Sequence, residues 1–132
     1  TPNVNRLSKS GFLFTYAHAT AATSTPSRYS MLTGEYAWRK EGTDVAAGNA
    51  GMIIRPEQYT MADMFKSVGY TTAAVGKWHL GLGDQTATQD WNAPLPCELG
   101  DLGFDYHYIM AATAGRVPCV YFEILNYFIT ST

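Results

Sequence analysis

Two short stretches hold residue types that could work together on an anionic substrate. The first is ATSTPSRYSMLTG at 22–34, with Ser24, Pro26, Arg28 and Gly34 at fixed offsets. Pro26 suits the first turn of a helix, and Gly34 suits a left-handed C-cap, so Ser24 falls at or next to the N-cap of a short helix. Free backbone N–H groups and the positive end of the helix dipole favour an anion at that mouth. Arg28, one turn further on, adds a fixed positive charge to the same face. A serine so placed faces an anion as a nucleophile, although a serine before a helix ordinarily caps it and does nothing more. The second stretch is GYTTAAVGKWHLG at 69–81, which puts Lys77 and His79 beyond the carboxyl end of a strand, the edge at which open α/β sheets bind ligands. A lysine brings a mobile point charge to an oxyanion, and a histidine can bond a hydroxyl and move its proton near neutral pH. Taken singly, a loop lysine is usually solvated and a lone histidine usually structural.

The elements that must position these residues are readable in outline. Thr1 and Pro2 open a short helix that Gly11 closes, with Val4 and Leu7 as an apolar i, i+3 pair. The period-two aromatics Phe12, Phe14 and Tyr16 predict a strand over 12–19. Residues 35–51 read as a surface loop. Thr60 caps a helix over 61–68 whose apolar face is Met61, Met64, Phe65 and Val68, with Gly69 as its stop. TTAAV then reads as a buried strand, 82–103 as irregular, and 117–125 as a further strand. Alternating helices and strands predict an α/β layered architecture with a largely parallel sheet.

The 132 residues suffice for one domain, and the hydrophobic fraction of 46% with 14% aromatics is that of a packing chain. The formal net charge is -2, and no run of lysines or arginines marks a nucleic-acid partner or an anionic membrane surface. No apolar stretch approaches the roughly 20 residues of a membrane-spanning helix. Cys97 and Cys119 fit no zinc pattern and read as separate thiols, which leaves the redox compartment open. Tyr29, Trp38, Trp78 and Trp91 are aromatics that could line a sugar or aryl site, although such residues more often belong to a core.

Together the two stretches resemble the sulfatase family. S24-T-P-S-R28 with L32-T-G34 resembles its modification motif, and G69-Y-T-T-A-A-V-G-K77-W-H79 resembles its second signature. The likeness extends to TPNVNRLSKSG, LGFDYHY and RVPCVYFE, from about residue 1 to about residue 123, whereas ILNYFITST has no place in it. The resemblance implies an alkaline-phosphatase-like α/β fold, here an amino-terminal portion, and hydrolysis of sulfate esters of carbohydrate or aryl type. It implies that Ser24 is oxidised after translation to formylglycine by a maturase, and that serine in place of cysteine means the bacterial radical-dependent route. It further implies Ser24 as nucleophile and as ligand of a divalent cation, usually Ca2+. Arg28 would steady the hydrated aldehyde, Lys77 would bridge nucleophile and sulfate, and His79 would bond the hydrate and help its deprotonation. A periplasmic or secreted setting goes with the resemblance.

The departures are equally specific. The family's first aspartate pair, its later aspartate-asparagine pair, its leaving-group histidine and its further sulfate-binding lysine have no counterparts here, and His107 stands too early to replace that histidine. The chain therefore reads as a fragment of a longer sulfatase, a single partial catalytic domain over 1–132. Two other readings share the same residues: phosphoryl transfer by unmodified Ser24, and a truncated chain that acts only in binding.

Overall fold

The computed structural model describes residues 1–84 and 89–125. Thr1 and Pro2 open helix α1, Pro2–Ser10, which Gly11 ends in extended backbone. Helix α2, Ser24–Thr33, starts after Thr23 and stops at Gly34, whose φ of 73° is the left-handed conformation foreseen for it. Gly34 N–H closes the end by donating to the Ser30 carbonyl at 2.9 Å. A 3₁₀ turn at Ala37–Arg39 interrupts the long loop. Helix α3, Met61–Lys66, begins with a full capping box: the Thr60 hydroxyl accepts from the Ala62 and Asp63 N–H groups, and Asp63 accepts from the Thr60 N–H. It stops two residues earlier than the pattern predicts, and Gly69, at φ 86°, closes the turn that follows.

Strands β1 (Ala73–Lys77), β2 (Tyr106–Met110) and β3 (Tyr121–Leu125) form one sheet in the order β1-β2-β3. β1 pairs parallel with β2, and β2 pairs antiparallel with β3. The sheet is therefore mixed, which corrects the expectation of a largely parallel one. Strand β2 is new to the reading of the sequence, and β3 begins four residues later than its candidate span. β1 is also not a buried strand: among the described residues it pairs with β2 alone, and Val75 is 72% exposed.

Two further expectations fail for one physical reason, the lack of a surface to pack on among the described residues. Residues 12–19 form no strand, and Phe12, Phe14 and Tyr16 project into solvent. Alternation yields a strand only where backbone groups find a partner and one face finds cover. On α3 the predicted apolar face of Met61, Met64, Phe65 and Val68 is likewise exposed, and Ala62 is its buried residue.

The core lies where α2, the sheet, the loop before α3 and the loops after β1 meet. Tyr29, Met52, Ile54, Trp78, Leu80, Leu99, Leu102 and Ile109 are its buried centre. Tyr29 and Trp78 are thus core residues, whereas Trp38 is exposed against Tyr36 and Trp91 packs on Phe122. Cys97 is buried and Cys119 exposed, and both are free thiols in the structure. His107 is buried on β2, and burial lowers its pKa. Among the described residues no helix is long and apolar enough to cross a membrane. Residues 85–88 of the irregular stretch and most of the unplaced tail lie outside the described residues.

Candidate active site

Pro26 starts α2 in a conformation the helix needs, and this leaves Ser24 as its first residue with the side chain at the helix mouth. Arg28, four residues on, reaches back along the same face, and its Nε donates to Ser24 Oγ at 3.0 Å. The other end of the guanidinium donates to the Lys77 carbonyl at 2.6 Å, which ties α2 to the end of β1. The ladder between β1 and β2 continues past Lys77. Trp78 N–H donates to the Met110 carbonyl and His79 N–H to the Ala111 carbonyl, both at 2.9 Å. His79 itself takes a φ of 60°, an unusual conformation for a residue with a side chain. Gly81, at φ 72°, continues the turn where a Cβ would run into the carbonyl of Gly51.

This anchoring puts His79 Nδ1 3.0 Å from Ser24 Oγ and its Nε2 3.0 Å from the Ala46 carbonyl oxygen. A carbonyl can only accept, so Nε2 carries the proton and Nδ1 is left as an acceptor. Ser24 Oγ–H then donates to Nδ1 while its oxygen accepts from Arg28. The hydroxyl is thereby held between a base and a cation, the arrangement that activates a nucleophile, with a main-chain carbonyl orienting the base. Burial lowers the pKa of His79, the bond to Ala46 opposes this, and the charges of Lys77, Arg116 and Arg28 lower it further. The ring is neutral at pH 7 and free to take a proton. Lys77 ends β1 with an exposed ammonium whose pKa is lowered by partial desolvation and then by Arg28 and Arg116.

Two positioning groups escaped the sequence. Thr25, fully buried, donates to the His79 carbonyl at 2.9 Å and accepts from the Ala46 N–H at 3.1 Å. Nothing in its type or spacing marks it. Ala46 acts through its backbone alone, so no side-chain signal exists for it. Glu35, the first acidic residue after the motif, is turned elsewhere: it accepts from Tyr29 Oη at 2.8 Å and from Gln58. A cavity of about 400 Å³ lined by Lys40, Asp44, Met52 and neighbours meets this site only at Ala46, so the hydrogen-bond geometry locates the chemistry better than cavity size.

A calcium ion fits poorly on the residues present. It takes about 6 to 8 oxygens, several from carboxylates, yet the charged side chains around Ser24 are cations, and no cluster of three His, Cys, Asp or Glu residues suited to a metal occurs among the described residues. The donor set suits an anion.

The sulfatase family model matches residues 1–117, and the chain belongs to that family. It is 51% identical over 123 residues to an N-acetylgalactosamine-6-O-sulfatase of Bacteroides thetaiotaomicron, covering 93% of this chain and 24% of the relative. It is 33% identical to the human steryl-sulfatase over 86% of this chain and 20% of that protein. A solved structure described under the metabolism of multiple glycosaminoglycans by Bacteroides thetaiotaomicron superimposes with a TM-score of 0.86 at 50% identity, over 93% of this chain and 25% of the other. The architecture is accordingly that of the alkaline-phosphatase-like fold, and the chain spans a fifth to a quarter of the length of these relatives, from 20% to 25%.

Proposed function

We propose that these residues form part of a single sulfatase catalytic domain that hydrolyses a carbohydrate sulfate ester, with Ser24 as its nucleophile. The observation that carries this reading is the position of Ser24 Oγ, 3.0 Å from both Arg28 Nε and His79 Nδ1 at a helix mouth. Arg28 and Lys77 supply positive charge to the sulfate oxygens, and His79 Nδ1 takes the proton of the attacking hydroxyl. Arg28 stabilises the oxygen as it loses that proton. The identity to the N-acetylgalactosamine-6-O-sulfatase over 93% of the chain supports a sugar sulfate over an aryl one.

A neutral serine hydroxyl is a weak nucleophile, which supports conversion of Ser24 to formylglycine by a maturase that reads Pro26 and Arg28. Its hydrate supplies two oxygens on one carbon, one to attack sulfur and one to expel sulfate by elimination. The Ser24 Oγ position offers such a hydroxyl both a cationic donor and a neutral acceptor, so the surroundings fit it. The divalent cation of the family would draw on ligands this donor set lacks.

The test is sulfate release from N-acetylgalactosamine 6-sulfate and from an aryl sulfate, using the complete enzyme containing these residues after co-expression with a maturase. Preference for the sugar, together with a Ser24 peptide lighter by two hydrogens, supports the reading. The same hydrogen bonds would also activate an unmodified serine, and phosphatase activity with Ser24 at its encoded mass would favour phosphoryl transfer instead.

A further inference from the structure

We propose that Arg116 is a positioning residue for the Ser24–His79 pair: its guanidinium and the His79 Nε2–H converge on the carbonyl oxygen of Ala46 and together keep Nδ1 turned toward Ser24. The proposal rests on the reading of Ser24 and His79 as nucleophile and base. Ala46 lies in a segment without helix or strand, and a loop carbonyl is held only by what bonds to it. Its residue is 8% exposed, and its oxygen has two lone pairs. One is taken by His79 Nε2 at 3.0 Å and the other by Arg116 at 2.6 Å. The second bond is charge-assisted and the shorter of the two.

A second contact joins the same two segments. Gly48 lies so close to Val117 that a Cβ there would run into the Val117 carbonyl, and it would also come within 3.1 Å of Arg116 Cβ. The backbones at 46–48 and 116–117 are therefore in register because residue 48 has no side chain. Arg116 is otherwise an exposed cation, and among the described residues its charge meets no carboxylate: the ion pairs there are Arg55–Glu57 and Lys66–Asp105. An ordinary surface ion pair is not its role. Its charge acts on Lys77 and His79, consistent with a guanidinium beside the site.

The first measurement needs no turnover. Nitrogen-15 NMR of the histidine rings in the complete enzyme, with His79 assigned by its loss in His79→Asn, should give the Nε2–H tautomer at pH 8. Arg116→Met should add Nδ1–H tautomer, Gly48→Ala should do the same with the guanidinium intact, and Arg116→Lys should restore most of the wild-type signature. In the complete matured enzyme, Arg116→Met should lower kcat by about 10- to 100-fold, by analogy with the loss of a partner that orients a metal-ligating histidine, with KM little changed. An unaltered tautomer in both Arg116→Met and Gly48→Ala overturns the proposal. So does a rise in KM at constant kcat, which would make Arg116 a substrate contact. If Arg116→Met does not fold, Gly48→Ala and Arg116→Lys decide. A wild-type enzyme without sulfate-ester turnover would remove the sulfatase reading and leave the tautomer result to judge Arg116 alone.

Discussion

Ser24 derives its environment from three different parts of the chain: Arg28 from its own helix, His79 from the turn after β1, and Ala46 through the ring it orients. Its replacement by alanine removes the proposed nucleophile and takes no cap from α2, because the N-cap position belongs to Thr23 and the Ser24 hydroxyl bonds to Arg28 and His79 instead. Ser24→Ala is expected to reduce turnover of the complete enzyme on the order of 1,000-fold or more with an unchanged unfolding midpoint; retention of most activity would remove Ser24 from its role. His107 allows a separate test of burial. Its pKa is lowered from 6.5 by desolvation, so the unfolded chain binds a proton that the folded chain refuses. The stability linked to this histidine is complete above pH 6.5 and is lost as pH falls toward the folded value. His107→Gln should therefore flatten the acid side of the stability profile, and an equally steep profile in the variant would show that His107 is not the source. Ser24, Arg28 and His79, which the structure brings together, lie in the two stretches that the sulfatase resemblance singles out, and Lys77 stands beside them at the end of β1. Thr25 and Ala46 were not legible in the sequence, since one is a buried threonine of ordinary type and the other acts through its carbonyl.

The ends that carry local capping signals were read closely, whereas the strands β1 and β3 were found with shifted bounds. Gly34 ends α2, and Thr60 starts α3, because capping is local and written in a few residues. Strands depend on partners far away in sequence, which is why 12–19 was read as a strand and is not one. The alternating run of β2, with His107 and Ile109 inward, was in plain view, yet its role as the strand that anchors His79 appears only in the sheet. Thr60 gives a measurable case of a local signal with a distant consequence. Its hydroxyl caps α3 and also donates to the Leu102 carbonyl at 2.8 Å across the core. Thr60→Ala should cost about 1–3 kcal/mol, read as a lower urea midpoint at constant slope; a shift under a few tenths would mean that water replaces both bonds. Gly81 is the corresponding case for the turn after β1. It needs a left-handed φ and close approach to Gly51, so Gly81→Ala should destabilise by at least about 1–3 kcal/mol, and an unaltered melting midpoint would show that the loop relaxes at no cost.

At the scale of the whole molecule, cationic and apolar surfaces lie side by side. Val75 on β1, Met31 on α2, and Met61, Met64 and Phe65 on α3 are all exposed, an apolar surface that suits burial against further structure. The cations at the site are in a comparable position, because among the described residues the groups bonded to Arg28 and Arg116 are a hydroxyl and carbonyls. A metal would have to bind here with Ser24 as its one assigned ligand. Tight calcium sites draw on several carboxylates, whereas Glu35 is committed to Tyr29 and Gln58. Arg28 and Lys77 would be left to neutralise both the attacking oxygen and the sulfate, and the loss of one such electrostatic contribution typically lowers the rate on the order of 100- to 1,000-fold. The 132-residue chain by itself is therefore expected neither to bind calcium at micromolar concentration nor to hydrolyse sulfate esters at a useful rate. Calorimetric titration of calcium into the chain, run beside an aryl-sulfate assay, measures both. Micromolar binding together with turnover would mean that these residues already make a complete enzyme, with ligands drawn from carboxylates that the present arrangement leaves away from Ser24.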